Sequence, residues 1–172
     1  MTAGKVDESQ RDPWLVLRTR SQHENIVERS LQQKQINAYL PKHRVIRRGK
    51  DRRIILEMPL FPGYVFVQPR LDQFENMRYV RGSCGLILRG SQPAAMPEKE
   101  LEAVRILVGS GAELAVNPQL IPGQRVEVIA GPFMGVQGEL IRVKSQDRLV
   151  INAYLVSSSV SVEVDSDKIA IL

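Results

Sequence analysis

A dense run of basic residues is the first part of this sequence that could bind a ligand. Seven cations within twelve residues are opposed only by Asp51: Lys42, Arg44, Arg47, Arg48, Lys50, Arg52 and Arg53. A glycine and turn-forming residues at 47–51 separate two extended flanks, which predicts a hairpin. Cations at a hairpin tip contact phosphates without reading sequence, so Arg47, Arg48 and Lys50 are candidate nucleic-acid contacts. The alternative is a charged turn that only keeps a sheet edge soluble.

Residue types that carry catalysis are sparse. A nucleophilic cysteine needs a nearby base, and the single cysteine, Cys84, has only His23 and His43 as histidine candidates. The sequence has no Cys/His/Asp cluster with metal-ligand spacing and no phosphate-binding loop. We therefore predict no catalytic residue, no metal, no cofactor and no enzymatic activity.

Composition sets further bounds on the class of protein. The chain has 172 residues, 43% hydrophobic and 25% charged, as expected for one or two ordinary domains. One cysteine forms no intramolecular disulfide, which favours a reducing cytoplasm. No apolar run approaches the ~18 residues that cross a bilayer, so no membrane association is expected. The first 90 residues carry a net charge of +8 and the remainder −3, which suggests that the first half faces a polyanion.

The segment from Pro59 to Val67 places two turn formers inside an apolar run. Pro62 and Gly63 predict a tight turn, because proline presets φ and glycine tolerates a positive φ. Tyr64 to Val67 then has strand composition. Such a turn either presents Phe61 and Tyr64 at the mouth of an apolar pocket that suits a partner's helix, or buries both rings in the core.

Hydrophobic periodicity places the other elements. We predict strands at 14–19, 38–46, 53–58 and 86–88, with Pro41 at an edge or bulge, and helices starting at Ser21, Pro69 and Pro97. Ser21 and Glu24 have the spacing of a capping box. Glycines and Asn117-Pro118 predict a linker over 109–120. Beyond it, five short strands separated by turns predict a small β-barrel, because such short strands bury little surface unless the sheet closes. Strands are expected at 125–129, 136–143, 149–155, 160–164 and 169–171.

Two blocks resemble motifs of one family. Residues 60–67, LFPGYVFV, resemble the signature of the N-terminal domain of NusG-type transcription elongation factors, and residues 122–138 resemble the KOW motif of the same family. The resemblance implies an α+β protein. A polymerase-binding α/β sandwich with a mainly antiparallel sheet flanked by helices would span 13–108, and a flexible linker 109–120. A five-stranded SH3-like KOW barrel would span 121–172. Residues 1–12 precede the resemblance, and their polar composition predicts a disordered tail. The resemblance also indicates a specialised antiterminator of the UpxY or RfaH kind, and we expect a cytoplasmic monomer.

The resemblance also implies roles for individual residues. Phe61, Pro62, Gly63 and Tyr64 match the pocket that receives the clamp helices of the largest RNA polymerase subunit, and Arg18 stands where RfaH has an aromatic contact. Phe74, Glu75 and Asn76 match the segment that reaches the gate loop of the second-largest subunit. Arg20, His23 and Arg81 match contacts to the non-template DNA strand, with Arg78 nearby and Tyr79 as a possible stacking platform.

The barrel is expected to recruit partners. Leu155 and Val156 occupy the place of an Ile-Phe pair in a late strand that contacts a small-subunit ribosomal protein or the termination factor Rho. The implied mechanism is a bridge across the polymerase cleft that suppresses pausing or termination on long operons. The alternative is a ribosomal or RNA-binding KOW protein without a polymerase role.

Overall fold

The first part of the chain folds as a mixed unit of strands and helices. The computed structural model describes residues 11–172, so the tail predicted over 1–12 lies almost entirely outside the described residues. The strands are β1 (Trp14–Thr19), β2 (Asn37–Tyr39), β3 (Lys42–Arg48), β4 (Arg53–Pro59), β5 (Tyr64–Gln68), β6 (Ser83–Leu86), β7 (Leu88–Arg89), β8 (Gln92–Pro93) and β9 (Ala95–Met96). The helices are α1 (Glu24–Gln33), α2 (Phe74–Met77) and α3 (Glu98–Gly109).

An antiparallel sheet in the order β2-β5-β1-β6 forms the centre of this unit, and β9 also pairs with β1. Successive side chains of a strand point to opposite faces. On one face, Leu15, Leu17, Val65 and Val67 pack with Val27 and Leu31 of α1 and with Met77 of α2. On the other, Trp14, Val16 and Phe66 belong to the cluster that contains Leu101, Val104 and Leu107 of α3. The predicted sandwich of sheet and flanking helices is confirmed.

Strands β3 and β4 form a separate two-stranded ribbon. Among the described residues they pair only with each other, from Lys42 opposite Pro59 to Arg48 opposite Arg53. Pro41 interrupts the expected continuous strand, and its carbonyl accepts a hydrogen bond from the Leu60 amide across the base of the ribbon at 2.8 Å. Glu28 of α1 also holds the base, since its carboxylate accepts a hydrogen bond from the Leu40 amide at 3.0 Å.

The second part of the chain is a β-barrel. Its strands are β10 (Ala115–Asn117), β11 (Gln124–Val128), β12 (Gln137–Val143), β13 (Gln146–Ala153), β14 (Ser158–Glu163) and β15 (Ile169–Ile171). They are ordered β10-β14-β13-β12-β11-β15, all antiparallel. The five strands expected from the sequence are present, and Phe133 is buried in the core as expected. Strand β10 lies inside the segment predicted to be the linker.

Three local predictions are wrong. Helix α1 starts at Glu24 with His23 at its N-cap and no side-chain cap, so Ser21 lies outside the helix and the Glu24 carboxylate accepts a hydrogen bond from Gly63 instead. The helix expected from Pro69 is reduced to a 3₁₀ turn at Leu71–Gln73 and the single turn α2. The buried strand expected at 86–88 is split at Ile87, and Leu88 is exposed. Within residues 11–172, no helix is long and apolar enough to cross a membrane.

Candidate functional site

The Pro62-Gly63 turn is held from two sides. The Tyr64 amide donates to the Phe61 carbonyl at 3.3 Å and Gly63 has φ of +88°, the geometry of a type II turn. The Gly63 carbonyl accepts from the Thr19 amide at 2.8 Å. The Gly63 amide donates to the carboxylate of Glu24 at 2.9 Å, and Glu24 is only 5% exposed. The start of α1 and the end of β1 therefore fix the turn in place.

The two rings of the turn have different environments. Phe61 is 2% exposed and packs edge-to-face on Phe66, with ring centroids 6.2 Å apart. Tyr64 is only partly buried and lies opposite Arg18 in the β1–β5 ladder. Phe61 is thus a core residue that packs beneath the turn. This corrects the expectation that its ring lies at the mouth of a pocket. Tyr64 and Arg18 are the members of the predicted set with accessible surface on the α3 side of the sheet; Pro62 is exposed at the turn itself.

Three of the predicted nucleic-acid contacts meet at one end of β1. The Arg20 amide donates to the Gly82 carbonyl at 2.8 Å, which places Arg20 beside the segment that carries Arg81. His23 packs on Gly82 so closely that a Cβ added there would lie 2.9 Å from the Cβ of His23. Gly82 also has φ of +90°, so only glycine fits this junction without strain. Arg20 and Arg81 are exposed, and Tyr79 is 81% exposed. Arg20, His23, Tyr79 and Arg81 are called the strand-end patch below.

The remaining predicted contacts of the first domain lie on the α1 side. Phe74 packs partly against the cluster beneath α1, while Glu75 and Asn76 are exposed. Arg78 forms an ion pair with Glu75 at 3.7 Å. The Asn76 carbonyl accepts from the Lys34 ammonium at 2.9 Å. The predicted polymerase contacts therefore occupy two separate surfaces, one on each side of the sheet.

Helix α3 is bound to the sheet through an arginine. The Arg105 guanidinium lies 5.0 Å from the ring centre of Trp14 and 4.8 Å from that of Tyr39, within the range of cation–π attraction. Burial raises the pKa of Tyr39, and the nearby Arg105 charge opposes that shift. This cluster was missed by sequence reasoning, because Tyr39 and Arg105 are 66 residues apart and show no shared pattern.

The opposite side of α3 contacts the barrel. The Tyr154 amide donates to the Glu100 carboxylate at 3.1 Å, and Ala103 and Ile106 line a cleft of about 410 Å³ shared with β12 and β13. Burial raises the pKa of Glu100, and the hydrogen bond from Tyr154 partly offsets it. The signal for this second contact was present in the sequence: α3 has apolar residues on more than one side, which is typical of a helix buried on both.

The candidate partner residues of the barrel adjoin this contact. Leu155 and Val156 lie in a 3₁₀ turn at Tyr154–Val156, between β13 and β14, and not in a strand as expected. Leu155 is partly buried, whereas Val156 is buried in the core. Val156 therefore serves packing in this conformation, and Leu155 is the member of the pair with accessible surface.

Comparison with known proteins identifies the family. A family model described as "Transcription termination factor nusG" matches residues 12–105, which is more than half of the chain. The chain belongs to the NusG family. The transcription termination/antitermination protein NusG of Streptococcus pyogenes is 26% identical to it, over 91% of this chain and 94% of that protein. NusG of Buchnera aphidicola is 27% identical, over 93% and 96% respectively.

A solved structure gives the same fold. The structure described as "Domain interaction in Thermotoga maritima NusG" is similar with a TM-score of 0.55 at 22% identity, covering 93% of this chain and 97% of that one. The likeness to NusG relatives extends over the barrel as well as the N-terminal unit, so both resemblances seen in the sequence belong to one family. The chain is a NusG-family transcription factor.

Within this NusG fold, the basic ribbon is a further exposed candidate surface. Arg44, Arg47, Arg48, Lys50 and Arg53 are all exposed, and none of them forms an ion pair with another residue in the part of the chain that the structure describes. Sequence reasoning identified these cations but missed Glu24 and Glu28. Their carboxylates position the turn and the ribbon, and nothing in their sequence spacing indicates those distant partners.

Proposed function

We propose that this chain is a transcription elongation or antitermination factor that binds RNA polymerase and suppresses pausing or termination on long operons. It acts by binding and without catalysis. The observation that carries the proposal is the doubly held Pro62-Gly63 turn, which keeps Tyr64 partly accessible beside Arg18. A preorganised turn loses little conformational freedom on binding, so more of the contact energy is available for affinity.

The polymerase contact is proposed on the α3 side of the sheet. Tyr64, Pro62 and Arg18 would meet the clamp helices, while Phe61 and Gly63 hold the turn. On the other side of the sheet, Phe74, Glu75 and Asn76 would meet the gate loop. Two surfaces on opposite sides of one rigid sheet suit a bridge across the cleft. A factor that prefers the closed clamp stabilises it by its differential affinity for the two states.

The strand-end patch is proposed to contact the non-template DNA strand. It combines exposed cations with an exposed aromatic ring, the combination by which proteins bind single strands. Arg20, His23 and Arg81 would contact phosphates and Tyr79 would stack on a base. Arg78 would act beside them once released from Glu75, and the ribbon cations Arg47, Arg48 and Lys50 would supply a second nucleic-acid contact.

The barrel is proposed to control access as well as to recruit partners. Its docking on α3 is supported by the hydrogen bond from the Tyr154 amide to the Glu100 carboxylate, and Leu155 is the next residue along the chain. The Thermotoga maritima relative is described by an interaction of its domains. We propose that the contact between the barrel and α3 blocks binding in this chain. Polymerase would bind after the barrel leaves α3, and so would a partner of Leu155 and Val156, such as a small-subunit ribosomal protein or Rho.

A matched pair of tyrosine variants tests the polymerase contact. With core polymerase that carries no nucleic acid, Tyr64→Ala should lower retention of the chain about tenfold or more, because interface aromatics are frequent hot spots. Tyr79→Ala removes the same side chain from the strand-end patch and should leave retention unchanged. Equal retention of both variants would contradict the proposal. Phe61→Ala is unsuitable, since loss of a buried ring unfolds the turn.

A ribosomal or RNA-binding KOW protein is the alternative. It requires the second half of the chain to bind structured RNA, which its net charge of −3 disfavours. Binding of the full chain to ribosomal RNA at physiological salt, without retention on polymerase, would favour that alternative.

A further inference from the structure

The β3–β4 ribbon has a construction that the polymerase contacts do not explain. Each strand has seven residues, so the ribbon extends about 23 Å at ~3.3 Å per residue. Its tip is closed by a hydrogen bond from the Gly49 amide to the Arg52 carbonyl at 2.9 Å. Apart from its base, the ribbon is exposed, and its strands pair with no other strand in residues 11–172.

The charge distribution of the ribbon suits a polyanion. Arg48 and Arg53 lie directly opposite each other across the two strands. Like charges in this position repel and destabilise the pair. Neighbouring Arg47, Lys50 and Arg52 add to the repulsion, and Asp51 is the one acid between Lys42 and Arg53. A row of phosphates would relieve this repulsion and would release counterions on binding.

The side chains of the ribbon favour a duplex over a single strand. Proteins that bind single strands stack bases on aromatic rings, and the two strands of the ribbon contain no Phe, Tyr or Trp. Their one histidine, His43, is half-buried near the base. The strand-end patch, in contrast, has the exposed ring of Tyr79. The ribbon therefore lacks the aromatic ring on which a single-stranded base stacks, whereas the strand-end patch has one. This difference favours a duplex for the ribbon and a single strand for the patch.

The shape and apolar face of the ribbon fit a groove. Ile46 and Ile55 lie opposite each other, 62% and 64% exposed, on the same face as Arg48 and Arg53. The major groove of B-form DNA, about 12 Å wide, admits a two-stranded β-ribbon, and apolar side chains there contact thymine methyl groups. The major groove of an RNA duplex is too deep and narrow for such contacts.

We propose that the β3–β4 ribbon enters the major groove of a B-form DNA duplex, with Arg48, Lys50 and Arg53 on phosphates and the Ile46–Ile55 pair toward the base edges. This inference rests on the proposed function for its setting, since a transcribing polymerase is flanked by duplex DNA. Duplex DNA is thereby assigned to the ribbon, and single-stranded DNA to the strand-end patch.

The test uses the full chain and labelled oligonucleotides of about 20 nucleotides: a DNA duplex, the same DNA as a single strand, and an RNA duplex. Affinity is measured by fluorescence anisotropy across a salt series. Arg48→Gln with Arg53→Gln should weaken duplex DNA binding about tenfold or more at low salt and reduce the slope of log K against log salt by about 1.8, at ~0.9 per phosphate contact. Single-strand binding should change little.

Two further variants complete the design. Arg142→Gln with Lys144→Gln removes the same charge from exposed barrel positions and should leave duplex binding unchanged. Ile46→Ser with Ile55→Ser should weaken duplex binding several-fold without changing the salt slope. Absence of duplex binding by the natural chain, tighter binding to the RNA duplex, equal losses on duplex and single strand, or equal losses in the barrel control would each overturn the inference.

Retention on core polymerase, measured in parallel, separates this inference from the proposed function. The arginine pair lies outside the proposed clamp and gate-loop surfaces, so its replacement should leave retention unchanged. If retention persists while duplex binding fails the test, only the ribbon assignment is wrong. If retention fails in the natural chain, the proposed function is wrong whatever the DNA result.

Discussion

The two faces of the N-terminal sheet are covered by different parts of the chain. The face under α1 is closed within its own domain by Val27, Leu31 and Met77. The face under α3 continues through that helix to the barrel, as one cluster of buried residues that spans both parts of the chain. The first face is therefore closed by side chains of its own domain, whereas the second is covered by a helix whose outer side contacts the barrel.

The largest expected effect is on the α1 face. Leu31→Ala removes a fully buried side chain and should lower the free energy of unfolding by about 2–5 kcal/mol. Trp14 is the sole tryptophan of the chain, so its fluorescence during urea denaturation reports on the N-terminal domain. Ile26→Ala, at an exposed position of the same helix, should change stability by less than about 0.5 kcal/mol. Similar losses of unfolding free energy in both variants would contradict the interpretation that buried side chains close the face under α1.

A middle-sized effect is expected where the two faces join. Glu24 lies at the start of α1 and holds the Gly63 amide of the turn that carries Tyr64. Glu24→Ala should lower the free energy of unfolding by about 1–3 kcal/mol, because the partly buried N–H of Gly63 loses its acceptor, and should also weaken retention on polymerase. Glu24→Gln keeps an acceptor oxygen and should recover part of both losses. Unchanged retention with Glu24→Ala would separate the turn from the polymerase contact.

The smallest expected effect is on the contact between α3 and the barrel. Burial raises the pKa of Glu100 in the docked state. Docking is therefore more favourable when Glu100 is protonated, and it weakens as the pH rises from the ordinary glutamate pKa through the raised value. At neutral pH, Glu100→Gln should strengthen docking by less than about 1 kcal/mol, since the half-buried group keeps part of its solvation.

The amide resonance of Tyr154, followed by NMR from pH 4 to pH 8, measures this docking. The natural chain should show a titration that Glu100→Gln abolishes. Glu98→Gln, at an exposed position of the same helix, should titrate as the natural chain does. A titration that survives in Glu100→Gln would contradict the assignment of the pH dependence to Glu100.

Local patterns predicted much of the fold and part of the candidate site. The Pro62-Gly63 turn and the strands of the barrel followed from backbone preferences that act over a few residues. The basic ribbon followed from charge density. The capping box expected at Ser21 is absent because the helix begins later, with His23 at its N-cap, and the Glu24 carboxylate accepts a hydrogen bond from the distant Gly63 amide.

By itself, the sequence determined where the chain turns, which segments extend, and where positive charge concentrates, because φ preferences, side-chain alternation and net charge are properties of short stretches. Only the tertiary structure decided which of the two rings at the turn is accessible, and that Arg105 lies over both Trp14 and Tyr39. It also decided that α3 is shared between sheet and barrel. These outcomes depend on packing and hydrogen bonding between residues far apart in the chain, whose energies are set by burial that no local pattern encodes.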